Sequence, residues 1–206
     1  MHKKIALYIT LLCLNSILLN AQVNSAKDSL LVEYHLDKAI DFEQTNIDSA
    51  IWHIDEAYKL AQETNSLFLK CRSSLGKAMM YQNISDYKKS ALFYKEGITL
   101  AEKLNYKPLL AQAYNGFGNL FGLQKQMTQA AEYFKKALAI SKELDDKRKV
   151  SVILMNLANI EYNAAYYSND FKKCNEAYNE AYKWAILAKD TGQQISCLGK
   201  IGRAHV

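Results

Sequence analysis

Leu60-Ala61-Gln62-Glu63-Thr64-Asn65, Leu100-Ala101-Glu102-Lys103-Leu104-Asn105 and Ile140-Ser141-Lys142-Glu143-Leu144-Asp145 are one string written three times at a spacing of 40, and Leu187-Ala188-Lys189-Asp190-Thr191-Gly192 follows 47 residues later. A fixed period of this size means stacked supersecondary units, each too small to bury its apolar face alone. Upstream of the first three strings the same offsets hold a small residue, a bulky one four later and a small one three after that: Ala50, Ile54, Ala57; Ser90, Tyr94, Gly97; Ala130, Phe134, Ala137. Steps of four and three place all three on one helical face. Small residues let two helices approach closely, and the bulky residue fills the groove between them. The preceding segments supply the matching partner, Ala78 then Tyr81 in one unit and Gly118 then Phe121 in the next.

Composition agrees with helix on helix. Of 206 residues half are apolar, only 8 are Gly and one is Pro, where average usage is about 5% Pro. Such scarcity of turn formers speaks against an all-β sandwich or barrel. The periodicity predicts helices over 28–44, 47–64, 67–84, 87–104, 107–124, 127–144, 147–166 and 170–190, with Gln193 to Lys200 beginning a ninth. Ser85-Asp86 and Thr45-Asn46 supply caps before two of them. Pro108 falls at a helix start, where its missing N–H costs nothing.

The small, aromatic, small pattern of Gly118, Phe121, Ala130, Phe134 and Ala137 resembles the tetratricopeptide repeat family. The family's early Trp and helix-terminal Pro are missing. The resemblance covers about residues 28 to 192 and implies an all-α fold, antiparallel helix pairs stacked as a right-handed superhelix. Four repeats follow, at about 28–65, 66–105, 106–145 and 146–192, with 193–200 opening a fifth. In the fourth, Ala158 holds the first small position, while Cys174-Tyr178-Ala181 and Ala177-Ala181-Trp184 are rival matches for the second helix. These imply an insertion of four or seven residues around Tyr162 to Asn169. A period of 40 in place of about 34 resembles the longer-repeat branch found in bacterial regulators. Ile195 and Leu198 begin a repeat that does not close, so an apolar last face is expected.

Both ends read differently from the middle. His2, Lys3 and Lys4 precede the apolar run Ile5 to Leu19, and Ala21 supplies a small residue before Gln22. This is read as a secretory signal over 1–21, cleaved after Ala21, which places the mature chain in the periplasm or outside the cell. The alternative is an uncleaved anchor, against which stand the short run and Asn15 and Ser16 within it. At the other end, Ile201-Gly202-Arg203-Ala204-His205-Val206 can be encoded by the constant sequence of a common short-read sequencing adapter, with the frame completing the codon of Lys200. Residues 201–206 are accordingly expected to be foreign, and the natural protein to continue beyond about residue 200.

Catalytic constellations are scarce. Between the two ends stand two histidines, His35 and His53, without HExxH or other metal-ligand spacing, so they read as packed or solvated imidazoles. Gly116, Gly118 and Gly122 lie inside a helical repeat and follow no strand, which excludes a nucleotide loop. Cys71, Cys174 and Cys197 are odd in number and far apart, and are expected as buried free thiols. No catalytic residue, metal or cofactor is expected. Removing 1–21 leaves 24 Lys and Arg against 21 Asp and Glu, interleaved as on solvated helix faces, which points away from nucleic acid. The mature fragment has no membrane call on its composition, although a longer parent could carry a span.

What remains is binding. In the family the first helix of each repeat lines the inner face and contacts peptide. Counted from Gly118, Asn115 and Asn119 project inward, with Gln82 in the unit before and Asn156, Asn159 and Tyr162 in the unit after as counterparts. Carboxamides both donate and accept, so a row of them can grip a peptide backbone without reading side chains. The alternative is that they only satisfy bonds between helices. The family's carboxylate-gripping version needs a Lys where Asn115 stands, which argues against recognition of a free C-terminus. The expected function is a non-enzymatic scaffold binding protein or peptide in its concave groove. The competing expectation is the extracytoplasmic sensing region of a bacterial sensor histidine kinase or transcription regulator, as long-repeat chains with a signal resemble the input regions of such proteins.

Overall fold

The computed structural model describes residues 27–168 and 171–203. Residues 1–21, read above as a signal, lie outside the described residues, as do 204–206. Every described element is an α-helix: α1 (27–42), α2 (Ile47–Glu63), α3 (Leu67–Asn83), α4 (Tyr87–Leu104), α5 (Lys107–Leu123), α6 (Met127–Glu143), α7 (Lys147–Ser168), α8 (Lys172–Leu187) and α9 (Thr191–Arg203). None of them is long and apolar enough to cross a membrane.

The short connections follow from local chemistry. Asn46, Ser66 and Asp86 cap α2, α3 and α4 by accepting from the N–H groups of Ser49, Leu69 and Lys89. Asp146 and Asp190 do the same for α7 and α9 through Lys149 and Gln193. At the C-terminal ends, Ser85, Asn105, Lys125, Asp145 and Lys189 adopt left-handed backbone with φ between 50 and 62°. The next N–H then reaches back five residues to a helix carbonyl, as Asp86 does to Tyr81 and Gln126 to Phe121. This satisfies carbonyls a helix end would otherwise orphan, and it turns the chain the same way at each of these five junctions.

The repeating face is the core. Ala50, Ile54 and Ala57, Ser90, Tyr94 and Gly97, and Ala130, Phe134 and Ala137 are all buried. The second helix of the fourth repeat buries Cys174, Tyr178 and Ala181, whereas Ala177 and Trp184 stay partly exposed. Burial therefore decides for the insertion of four residues. It is absorbed by α7, which has 22 residues where α5 has 17. Three residues after Ala158 the repeat places Glu161, exposed, where the other first helices carry an aromatic.

Close approach is enforced rather than tolerated. A Cβ on Gly97 would stand 2.3 Å from Leu75, and one on Gly118 would stand 2.7 Å from the Phe134 ring. At such separation a side chain of one helix reaches the backbone of the next. The Ser90 hydroxyl donates to Ala78 O at 2.8 Å, Ser151 to Ala181 O at 2.7 Å, and the Cys71 thiol to Gly97 O at 3.3 Å. All three expected thiols are free and buried.

Helices pack in chain order, most extensively within the pairs α3/α4, α5/α6 and α7/α8. The first helices also touch one another, α3 with α5, α5 with α7 and α7 with α9, while among the described residues the second helices α4, α6 and α8 do not. The stack therefore closes up on its first-helix side, and that side is concave. Its last helix, α9, begins two residues earlier than expected and runs on to Arg203, with Ile195 and Leu198 exposed on it.

One buried position places a hydroxyl where the other repeats carry alanine. Following each triad by four residues come Ala61, Ala101, Ser141 and Ala185, all buried. The Ser141 hydroxyl has no hydrogen-bond partner among the described residues. A buried hydroxyl without a partner costs about 1 to 3 kcal/mol, and alanine already fits the site three times. Ser141→Ala is expected to raise stability by about 1 kcal/mol, read by thermal or denaturant melting; a lower melting temperature would show that the hydroxyl contributes.

Candidate peptide-binding groove

The concave side carries three hollows in a row. The first lies between α1 and α3 and reaches α5, with an apolar floor of Leu36, Leu75 and Met79 and with Arg72 and Glu43 on its wall. The second is lined by Gln82, Asn115, Asn119 and Gln112 with Met79 and Tyr94. The third joins Gln112 and Asn115 to Arg148, Lys149 and Val152 of α7. Leu75 and Met79 are common to the first two hollows, Asn115 to the last two and Gln112 to all three, so they form one continuous groove.

Of the six residues singled out in the sequence, four converge. Gln82, Asn115 and Asn119 share the second hollow, and Asn156 on α7 reaches two of them, its Nδ2 donating to Asn115 Oδ1 at 3.3 Å and Asn119 Oδ1 at 3.2 Å. These bonds occupy both Nδ2 hydrogens of Asn156 but leave Asn115 and Asn119 their own amide donors. Gln82 accepts from the Tyr94 hydroxyl at 3.3 Å. Asn159 turns instead to its own repeat, accepting from Tyr178 at 2.7 Å. Tyr162 stands apart, in a cleft with Gly122, Leu123 and Ile160, its ring 5.6 Å from that of Phe171.

Register explains the split. At a spacing of 40 the counterpart of Asn115 is Met155, with Leu75 before it; Asn119 matches Asn159 and Met79; and Asn156 matches Gly116 and Gly76. Asn156 thus reaches the network from a neighbouring helix stripe. The groove residues not singled out beforehand, Gln112 and Arg72, are themselves 40 apart, and Gln112 stands three residues before Asn115 on the same face. That stripe was the available signal.

Electrostatics along the groove is balanced locally. Arg72 pairs with Glu33, Arg148 with Asp190 at 2.8 Å and Lys149 with Asp146 at 2.8 Å, while Asn83 donates to Glu43 at 2.6 Å. Burial pushes the Tyr94 phenol well above its usual range and the Cys71 thiol up to about 11, so both stay protonated at neutral pH. A protonated, enclosed thiol is no nucleophile. Polar amides over an apolar floor, with charges already paired, suit the edges of an extended chain better than a reacting bond.

No protein-family model matches the chain, and no curated protein matches it. Solved structures do. Aspartyl phosphate phosphatase F from Bacillus subtilis superposes with a TM-score of 0.72 at 15% identity, over 81% of this chain and 43% of its own. The Signal Transduction ATPase with Numerous Domains from Pyrococcus horikoshii, which carries a tetratricopeptide repeat sensor, matches with a TM-score of 0.70 at 18% identity, over 83% of this chain and 26% of its own. The fold is a tetratricopeptide-type helical repeat. A Rap protein complexed with competence and sporulation factor shares it, with a TM-score of 0.64 at 16% identity over 88% of this chain and 54% of that one. The chain therefore spans about half or less of each of these relatives, and identities this low speak for the repeat architecture alone.

Within that architecture the carboxamides divide into groove and scaffold. Replacing Asn159 with Ala removes the acceptor of the Tyr178 hydroxyl and is expected to cost about 1 kcal/mol in a denaturant melt. Unchanged stability would return Asn159 to the groove.

Proposed function

We propose that the chain is a non-enzymatic scaffold that binds a protein or peptide segment along the concave groove of α1, α3, α5 and α7. The observation that carries this reading is the convergence of Gln82, Asn115, Asn119 and Asn156 on one stretch of a continuous groove. Their amides can pair with the N–H and C=O groups of an extended backbone, and the hollow on the α1 side can take an apolar side chain. The likeness to a Rap protein solved with competence and sporulation factor supports the same use of the fold. A sensing role within a longer protein is the second reading. It is favoured by the likeness to an ATPase whose repeats are described as its sensor.

The test uses peptides selected from a random displayed library by the wild-type chain. Losing one groove hydrogen bond costs about 0.5 to 1.5 kcal/mol, so Asn115→Ala with Asn119→Ala is expected to weaken the selected peptides by tenfold to a hundredfold while circular dichroism stays unchanged. Unchanged affinity at unchanged helicity would place the site elsewhere, and lost helicity would make these amides structural.

We also propose export to the periplasm or beyond, on the charged start and apolar run of residues 1–21. N-terminal sequencing of chain expressed in a bacterial host is expected to begin at Gln22. A product that still starts at Met1 would overturn cleavage.

A further inference from the structure

Two histidines that the sequence keeps 18 residues apart meet in the fold. His35 on α1 and His53 on α2 bring their Nδ1 atoms to 2.9 Å, and His35 is buried. Aromatic rings enclose the contact: Phe42 stacks on His53 at 5.5 Å, and Trp52 meets the two imidazoles edge-on at 4.8 and 5.5 Å. Tyr34 stands edge-on to both, at 5.3 and 6.2 Å. A bond between two imidazole nitrogens requires one Nδ1 that carries hydrogen and one that is bare. Protonating the bare nitrogen removes the acceptor and sets N–H against N–H, with positive charge added at the contact. Among the described residues no group of three or more His, Cys, Asp or Glu could hold a metal ion.

We propose that the contact between His35 and His53 is an acid-released latch, which holds α1 on the stack at neutral pH and frees it when the acceptor imidazole is protonated. The charged and titratable groups around it do not compensate for the added charge. On α1, Lys38 is held 2.9 Å from Asp41; on α2, Glu56 sits 4.0 Å from Lys59. Burial first, then His35 and then Lys38, holds His53 below the usual histidine value of 6.5. The unfolded imidazole consequently takes up its proton more readily than the folded one. The latch is at full strength above about pH 6.5 and is lost as pH falls from there through the lower folded value.

The position of the latch gives it a consequence. α1 is the first described helix of the stack, and its buried Val32, Leu36 and Ala39 cluster with residues of α2 and α3 alone, so it can loosen without unfolding the helices beyond. It also supplies Leu36, Ala39 and Ile40 to the first hollow of the groove, opposite Arg72 and Met79 of α3. Release of α1 would open that end of the groove.

Hydrogen exchange of the intact chain, followed by mass spectrometry between pH 7.5 and 5 and corrected for the intrinsic rate, tests this directly. Residues 27–42 are expected to lose protection at least tenfold across that range while α5 and α6 change little. In His53→Phe, which can still stack on Phe42 but cannot form the bond, the step at 27–42 should vanish; His35→Phe is the second variant if the first does not fold. Wild-type protection at 27–42 that does not depend on pH, or a full step that survives in either folded variant, overturns the latch.

Discussion

The whole arrangement depends on how near two helices can come. At Gly97 and Gly118 there is no room for even one methyl group, because Leu75 and Phe134 already fill the space. Alanine, serine or cysteine is buried at the other small positions along the stack. The bulky member of each triad, Ile54, Tyr94, Phe134 or Tyr178, then occupies the trough that the small ones leave. Once that separation is set, side chains reach the neighbouring backbone, and the bonds from Cys71, Ser90 and Ser151 follow. The concave side is the geometric remainder of these contacts repeated at each unit.

This constraint explains what could be read from the sequence. A small residue buried at every fortieth position leaves a mark in composition, so the helix pairs, their turns and the triads of the first three repeats were legible from Ala50, Ser90 and Ala130 onward. The fourth repeat was ambiguous because Cys174 and Ala177 are both small; only burial separates them. The groove was harder to read, since close packing does not hold its residues to one size. Asn115 and Asn119 were found by counting from Gly118 in the repeat that the family resemblance supplied, while Gln112 and Arg72 went unnoticed on the same stripe. Asn156 was given the correct neighbourhood on an incorrect counterpart, and Asn159 bonds to Tyr178 inside its own pair.

The histidine pair shows the opposite limit. His35 and His53 sit on two helices with no motif linking them, and helical periodicity does not say which residues of neighbouring helices share a height. Their contact exists only once α1 and α2 are packed together. Local rules place each residue on a face, whereas chemistry between faces has to be read from the assembled fold.

The uneven strength of the helix contacts has a mechanical side. Contact is extensive within α3/α4, α5/α6 and α7/α8 and thinner at α4/α5, α6/α7 and α8/α9. Under tension applied along its axis, such a body yields first at the thin junctions while the paired units stay intact. It lengthens in steps and recoils when the load is removed, as a spring built from rigid links does, and any groove spanning two units widens or narrows with that stretch.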